Sequence, residues 1–126
     1  MQSSVELLPE SDNRTVCVHV SGIITAEDFE KNFVTPVKTI TSRNSQINLC
    51  VIYSDDSRGW DPAAAEASFK TFSEFGTFAD RCAYVNAPDS IHLMLKMMQP
   101  LLPNADIRFF ESDEADKAMT WAKTGL

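Results

Sequence analysis

The sequence predicts an α/β domain in which a five-stranded mixed sheet is crossed by four helices. Three observations carry that prediction. Residues Ile47-Asn48-Leu49-Cys50-Val51-Ile52-Tyr53 form an apolar run broken only by Asn48, without the alternation of a half-exposed strand, so both faces of this central strand are covered. The run ends in a polar turn, Ser54 to Trp60, followed by Asp61-Pro62, where a capping carboxylate and a proline at the first helical position mark a helix start. Beyond it, helical and strand-like segments alternate to the end of the chain.

Val5-Glu6-Leu7-Leu8 and Thr15 to Val20 are short β-prone runs joined by turn-forming residues 9–14, which reads as a hairpin. In the second run Val16, Val18 and Val20 share one face, and Cys17 and His19 the other. Thr25-Ala26-Glu27-Asp28 has the form of a capping box, with the Thr25 hydroxyl and the Asp28 carboxylate each expected on the other's backbone N–H. Phe29, Phe33, Val37 and Ile40 give the first helix its buried stripe, and Pro36, which removes the bond to the Asn32 carbonyl, is expected to kink or break it. The second helix follows Asp61-Pro62 and carries Phe69, Phe72, Phe75 and Phe78. Arg81 to Val85 is a strand, and Pro88-Asp89-Ser90 opens a third helix from Ile91 to about Gln99, stopped by Pro100 and Pro103. Ile107 to Phe110 is the last strand. Ser112 is expected to cap a final helix with a narrow stripe of Ala115, Ala118, Met119 and Ala122, closed by Gly125. Because helical crossovers are right-handed, strands two to five should run parallel, with the first antiparallel at one edge.

At 126 residues the chain suits a single domain, 1–126. With 11 Lys+Arg against 18 Asp+Glu, its net charge of −7 opposes nucleic-acid binding, which needs clustered cations, and also opposes attraction to an anionic membrane. Cys17, Cys50 and Cys82 are odd in number and widely spaced, each within a strand, so they read as buried small hydrophobes of a protein in a reducing compartment. No basic patch followed by an apolar stretch opens the sequence, and residues 91–102 are too few to span a bilayer, so a cytoplasmic location is expected.

Taken together, Val20-Ser21-Gly22 with Thr25-Ala26-Glu27-Asp28-Phe29, Gly59-Trp60-Asp61, Arg81-Cys82-Ala83, and Ile107-Arg108-Phe109-Phe110 with Ala115, Ala118 and Trp121 resemble the SpoIIAA-like family over nearly the whole chain. That family is related to the STAS anti-sigma-factor antagonist domain, and the shared fold also resembles the CRAL-TRIO lipid-binding domain. The resemblance implies strand order 1-2-3-4-5 with most helices on one face, and no established activity. STAS antagonists carry a phosphorylatable serine in the turn after the central strand, where Ser54 and Ser57 lie here. The family's Asp-Ser-Ser/Thr-Gly motif is absent, and Asp55 and Asp56 would repel a phosphate.

Most catalytic plans lack parts. There are two histidines, His19 and His92, no glycine-rich phosphate loop and no metalloprotease helix. Cys17, His19 and Cys50 sit mid-strand, away from the strand ends where a Cys–His pair acts. The acidic residues Asp55, Asp56 and Asp61 lack the other parts of a receiver site. No enzyme activity, metal or cofactor is expected. The second and third helices, however, carry more apolar surface than a sheet contact needs. A groove between them, lined by Trp60, Phe69, Phe72, Phe75, Met94, Met97 and Met98, would take a small apolar or lipid-like ligand, with the third helix as a gate and peripheral contact with a membrane surface. The alternative is a regulatory module switched at Ser57 or Ser54. An exposed apolar face would equally serve a homodimer, and the two helices packing on each other and the sheet would leave no site.

Overall fold

The computed structural model describes residues 3–126. Strands β1 (Val5–Leu7), β2 (Thr15–Val20), β4 (Ile47–Tyr53), β6 (Ala79–Val85) and β7 (Asp106–Phe110) form one sheet in the order β1-β2-β4-β6-β7. β1 is antiparallel to β2, and every other pairing in this sheet is parallel. This is the expected architecture. The sequence reading missed a second, two-stranded sheet, β3 (Ile23–Ile24) with β5 (Gly59–Trp60), beyond the carboxyl ends of β2 and β4. Gly59 makes it possible: its φ of +98° lies where a side chain would be strained.

The two sheet faces are covered unequally. α1 (Ala26–Phe29), α2 (Thr35–Thr41), α3 (Pro62–Phe75) and α4 (Asp89–Met98) join the main core with Val16, Val18 and Val20 of β2 and Leu49, Val51 and Tyr53 of β4. Among the described residues α5 (Ala115–Thr124) is the one helix on the other face, its Ala118 and Ala122 lying against Cys17, Cys50, Ala83 and Val85. The small residues allow the close approach that the sequence suggested, and Trp121 and Phe110 close the side of this layer with ring centroids 6.0 Å apart. All three cysteines are free and buried. Burial beside its neighbours pushes the Cys82 thiol up to about 12, and the contact with Cys17 followed by burial pushes Cys50 up as well, so neither is a thiolate nucleophile.

Asn48, the polar exception in the central strand, has a defined task. β6 carries an extra residue relative to β4, with Ile47 opposite Ala79 but Leu49 opposite Cys82, and at this bulge the Arg81 N–H donates to Asn48 Oδ1 at 3.2 Å. The bulge sends the Arg81 side chain towards α5. There Nε donates to the Ala122 carbonyl and a terminal nitrogen to the Lys123 carbonyl, both at 3.0 Å, satisfying acceptors that a helix C-terminus leaves open.

Several local expectations are corrected. Pro36 does not break the first helix: the backbone widens into a π-helical turn over Glu30–Val34, with the Thr35 N–H reaching the Glu30 carbonyl, and α2 starts with Pro36 in its first turn, where its missing N–H costs little. Half of the Thr25–Asp28 box forms, Asp28 N–H to Thr25 Oγ1 at 3.3 Å. The Asp28 carboxylate instead accepts from the Ser4 N–H and hydroxyl at 2.9 and 2.7 Å, and Ser4 Oγ in turn accepts from the Thr25 N–H at 3.2 Å. The hairpin edge is thereby tied to the helix start, and these bonds hold the Asp28 carboxyl below its usual range. Ser112 is not the cap of the last helix: it opens a 3-10 turn, Ser112–Glu114, capped by Glu111, whose N–H donates to Glu114 at 2.9 Å, and α5 follows from Ala115. Phe78 lies off α3 in a 3-10 turn, Gly76–Phe78, so its phase differs from that of a continuous helix. Among the described residues no helix is long and apolar enough to cross a membrane.

Candidate functional site

The main core is not completely filled. Between the sheet and the helices lies an apolar cavity of about 30 Å³. Its floor is the carboxyl-terminal part of the parallel strands, Val18 and Val20 of β2, Val51 and Tyr53 of β4, and Tyr84 of β6. Phe29 and Phe33 of the first helical run, Trp60 of β5, Phe72 of α3 and Met94 of α4 close it. Open α/β sheets commonly bind ligands at this end of the strands. Two larger hollows, of about 420 Å³ beside α2 and about 380 Å³ between α4 and β7, are open grooves at the surface.

Sequence brings together three of its seven candidates here: Trp60, Phe72 and Met94. Phe75 borders a neighbouring void of about 20 Å³ against β4. Met98 is buried in the main core. Phe69 and Met97 point outward, 57% and 74% exposed, as does Leu93. The geometry also differs from a groove between two adjacent helices, because the main helical neighbour of α3 is α1. The space lies beneath the helices, against the sheet.

Trp60 is held by the short β3–β5 sheet and by the Phe29 ring, centroids 5.3 Å apart at 68°. Its indole Nε1 is buried without a hydrogen-bond partner among the described residues. Composition and spacing did not point to Tyr53 and Tyr84. Both are almost fully buried, at 4% and 3% exposure. Burial pushes the Tyr53 phenol up, and burial followed by the nearby Cys82 and Tyr53 pushes Tyr84 up. They are the only tyrosines of the chain, and both fall on the strand phase that faces the larger helical layer, which is the signal that was available.

The acidic turn after β4 is occupied with its own structure. Ser57 Oγ donates to the Val20 carbonyl at 3.1 Å, and Ser54 donates to Asp56. Asp56 also accepts from the Gly22 N–H, and the Ser54 hydroxyl followed by that N–H lowers its carboxyl. Asp55 accepts from Asn86 Nδ2 at 2.9 Å, and the same amide reaches the Tyr53 carbonyl at 3.0 Å. Asp61 caps α3 through the Ala64 N–H at 2.7 Å. Ser57 is therefore separated from α3 by β5 and an already capped helix start. Among the described residues no group of three or more His, Cys, Asp or Glu side chains is placed to hold a metal ion.

The mixed sheet, antiparallel only at β1 and with helices mainly on one face, is an α/β architecture consistent with the STAS fold. The SpoIIAA-like family model matches residues 15–123, and the chain belongs to that family. Family membership points to a regulatory or binding module. No curated protein matches the chain.

Proposed function

We infer that the domain is a non-enzymatic binding module that takes a small apolar or lipid-like molecule into the cavity between the sheet and α3 and α4. The observation that carries this reading is the cavity itself, apolar, placed at the strand carboxyl ends and walled by adaptable Met94 and Phe72. At about 30 Å³ it is far below the roughly 300 Å³ of a small ligand pocket, so binding requires a wall to move. α4 is suited to move. Its N-cap, Pro88, provides no side-chain hydrogen bond, it buries only Ile91, Leu95 and Met98, and a 3-10 turn with Pro100 follows it. Its exposed Leu93 and Met97 would meet a membrane surface from which such a ligand could enter.

The test is native mass spectrometry of the full chain purified from cells, together with titration by the fluorescent apolar probe N-phenyl-1-naphthylamine. One apolar adduct or one saturable probe site per chain supports the reading. A bare chain mass with no saturable probe site overturns it.

A further inference from the structure

We propose that the cavity recognises a neutral hydrogen-bond acceptor, a carbonyl or ether oxygen on an apolar body, through the Trp60 indole N–H and the Tyr53 and Tyr84 hydroxyls; this rests on the reading that the cavity is the binding site. Tyr53, Trp60 and Tyr84 are the polar-tipped side chains in a lining otherwise made of Val, Ile, Phe and Met. The indole nitrogen can only donate, and a buried donor without a partner is rare and costly in a folded protein. Each phenol can also donate. Both side chains are more than nine-tenths buried, and among the described residues no hydrogen bond offsets the burial that raises either hydroxyl.

The surroundings select the charge of the ligand. Among the described residues no Lys, Arg or His lines the cavity, so a carboxylate brought there would lose its hydration without a cation in exchange. A neutral oxygen loses far less and gains donors that the chain leaves unused. Tyr53 is at the carboxyl end of β4, and Tyr84 is paired with Val51 on the adjacent strand. Trp60 comes from β5, which follows the turn after β4. The three thus come from neighbouring parts of one end of the sheet, at the same cavity.

The experiment compares full-length chain with Tyr53→Phe and Tyr84→Phe, using 2-octanone, octane and octanoate to displace N-phenyl-1-naphthylamine. Each phenylalanine keeps the ring and removes the hydroxyl. The expected result is a five- to tenfold loss of 2-octanone affinity in at least one variant, the range for one neutral hydrogen bond, with octane affinity unchanged. The Trp60 indole N–H resonance should move with 2-octanone and not with octane. Urea stability of the variants should match or exceed that of the native chain, because the deleted hydroxyls have no hydrogen-bond partner among the described residues. Equal effects on ketone and alkane would assign the donors to buried water or to packing and overturn the proposal, as would octanoate binding more tightly than 2-octanone. If neither octane nor 2-octanone displaces the probe, the cavity reading itself fails, not only the choice of ligand oxygen.

Discussion

Filling the void should strengthen the fold while weakening the site. Val18 lies on β2 with its side chain in the main core and at the cavity wall, 1% exposed. Val18→Ile adds one methylene where space is already open. At about 24 cal/mol per Å³ of cavity, 30 Å³ corresponds to about 0.7 kcal/mol, close to the roughly 0.8 kcal/mol for one buried methylene. Urea unfolding should therefore show a midpoint raised by roughly 0.3–0.5 M with an unchanged slope. Binding of N-phenyl-1-naphthylamine should fall by about tenfold or more, since the added group takes ligand space and overpacking costs about 1–3 kcal/mol. A loss of more than about 1 kcal/mol of stability would mean that no usable space exists beside Val18. Raised stability with unchanged probe affinity would separate the void from binding. Either result refutes the reasoning.

Other consequences test the frame around the site. Arg81→Met removes two charge-assisted bonds to the last turn of α5 from a side chain 27% exposed, and should cost about 2–3 kcal/mol in urea unfolding while leaving probe affinity unchanged. Gly76→Ala would place a Cβ against the backbone carbonyl of Leu101, which follows α4, and should cost about 3 kcal/mol because a backbone segment must shift. Asp28 has a folded-state carboxyl lowered by the Ser4 bonds, so its contribution is present above the unfolded value of about 3.9 and is lost as pH falls through the lower folded value. Asp28→Asn should therefore destabilise the domain at neutral pH and flatten the acid limb of the stability curve; identical pH profiles would remove the Ser4 link from the account.

The sequence was most informative where burial leaves a periodic trace. The apolar run from Ile47 to Tyr53, broken only by Asn48, and the Asp61-Pro62 start correspond to the central strand and a capped α3. The β3–β5 sheet escaped because strands of two residues have no period, and its controlling feature is the φ of Gly59. Pro36 announced a lost N–H, but not that the backbone would widen one turn earlier and keep its helical path. For the site, aromatic and methionine residues counted along a helix could not say which pointed inward: Phe72 and Met94 reach the cavity, while Phe69 and Met97, a few positions away, face outward. Tyr53 and Tyr84 disappeared into strands read as apolar, although both line this cavity.

Five methionines allow a direct reading of where a ligand goes. With ¹³C-labelled methyl groups, addition of N-phenyl-1-naphthylamine should move the Met94 signal upfield through the ring current of the bound probe, in step with fluorescence saturation. Met97 on the outer face of α4 and Met119 of α5, on the opposite face of the sheet, should stay in place. A shift confined to Met97, or no shift at Met94 at saturation, would contradict binding within the cavity.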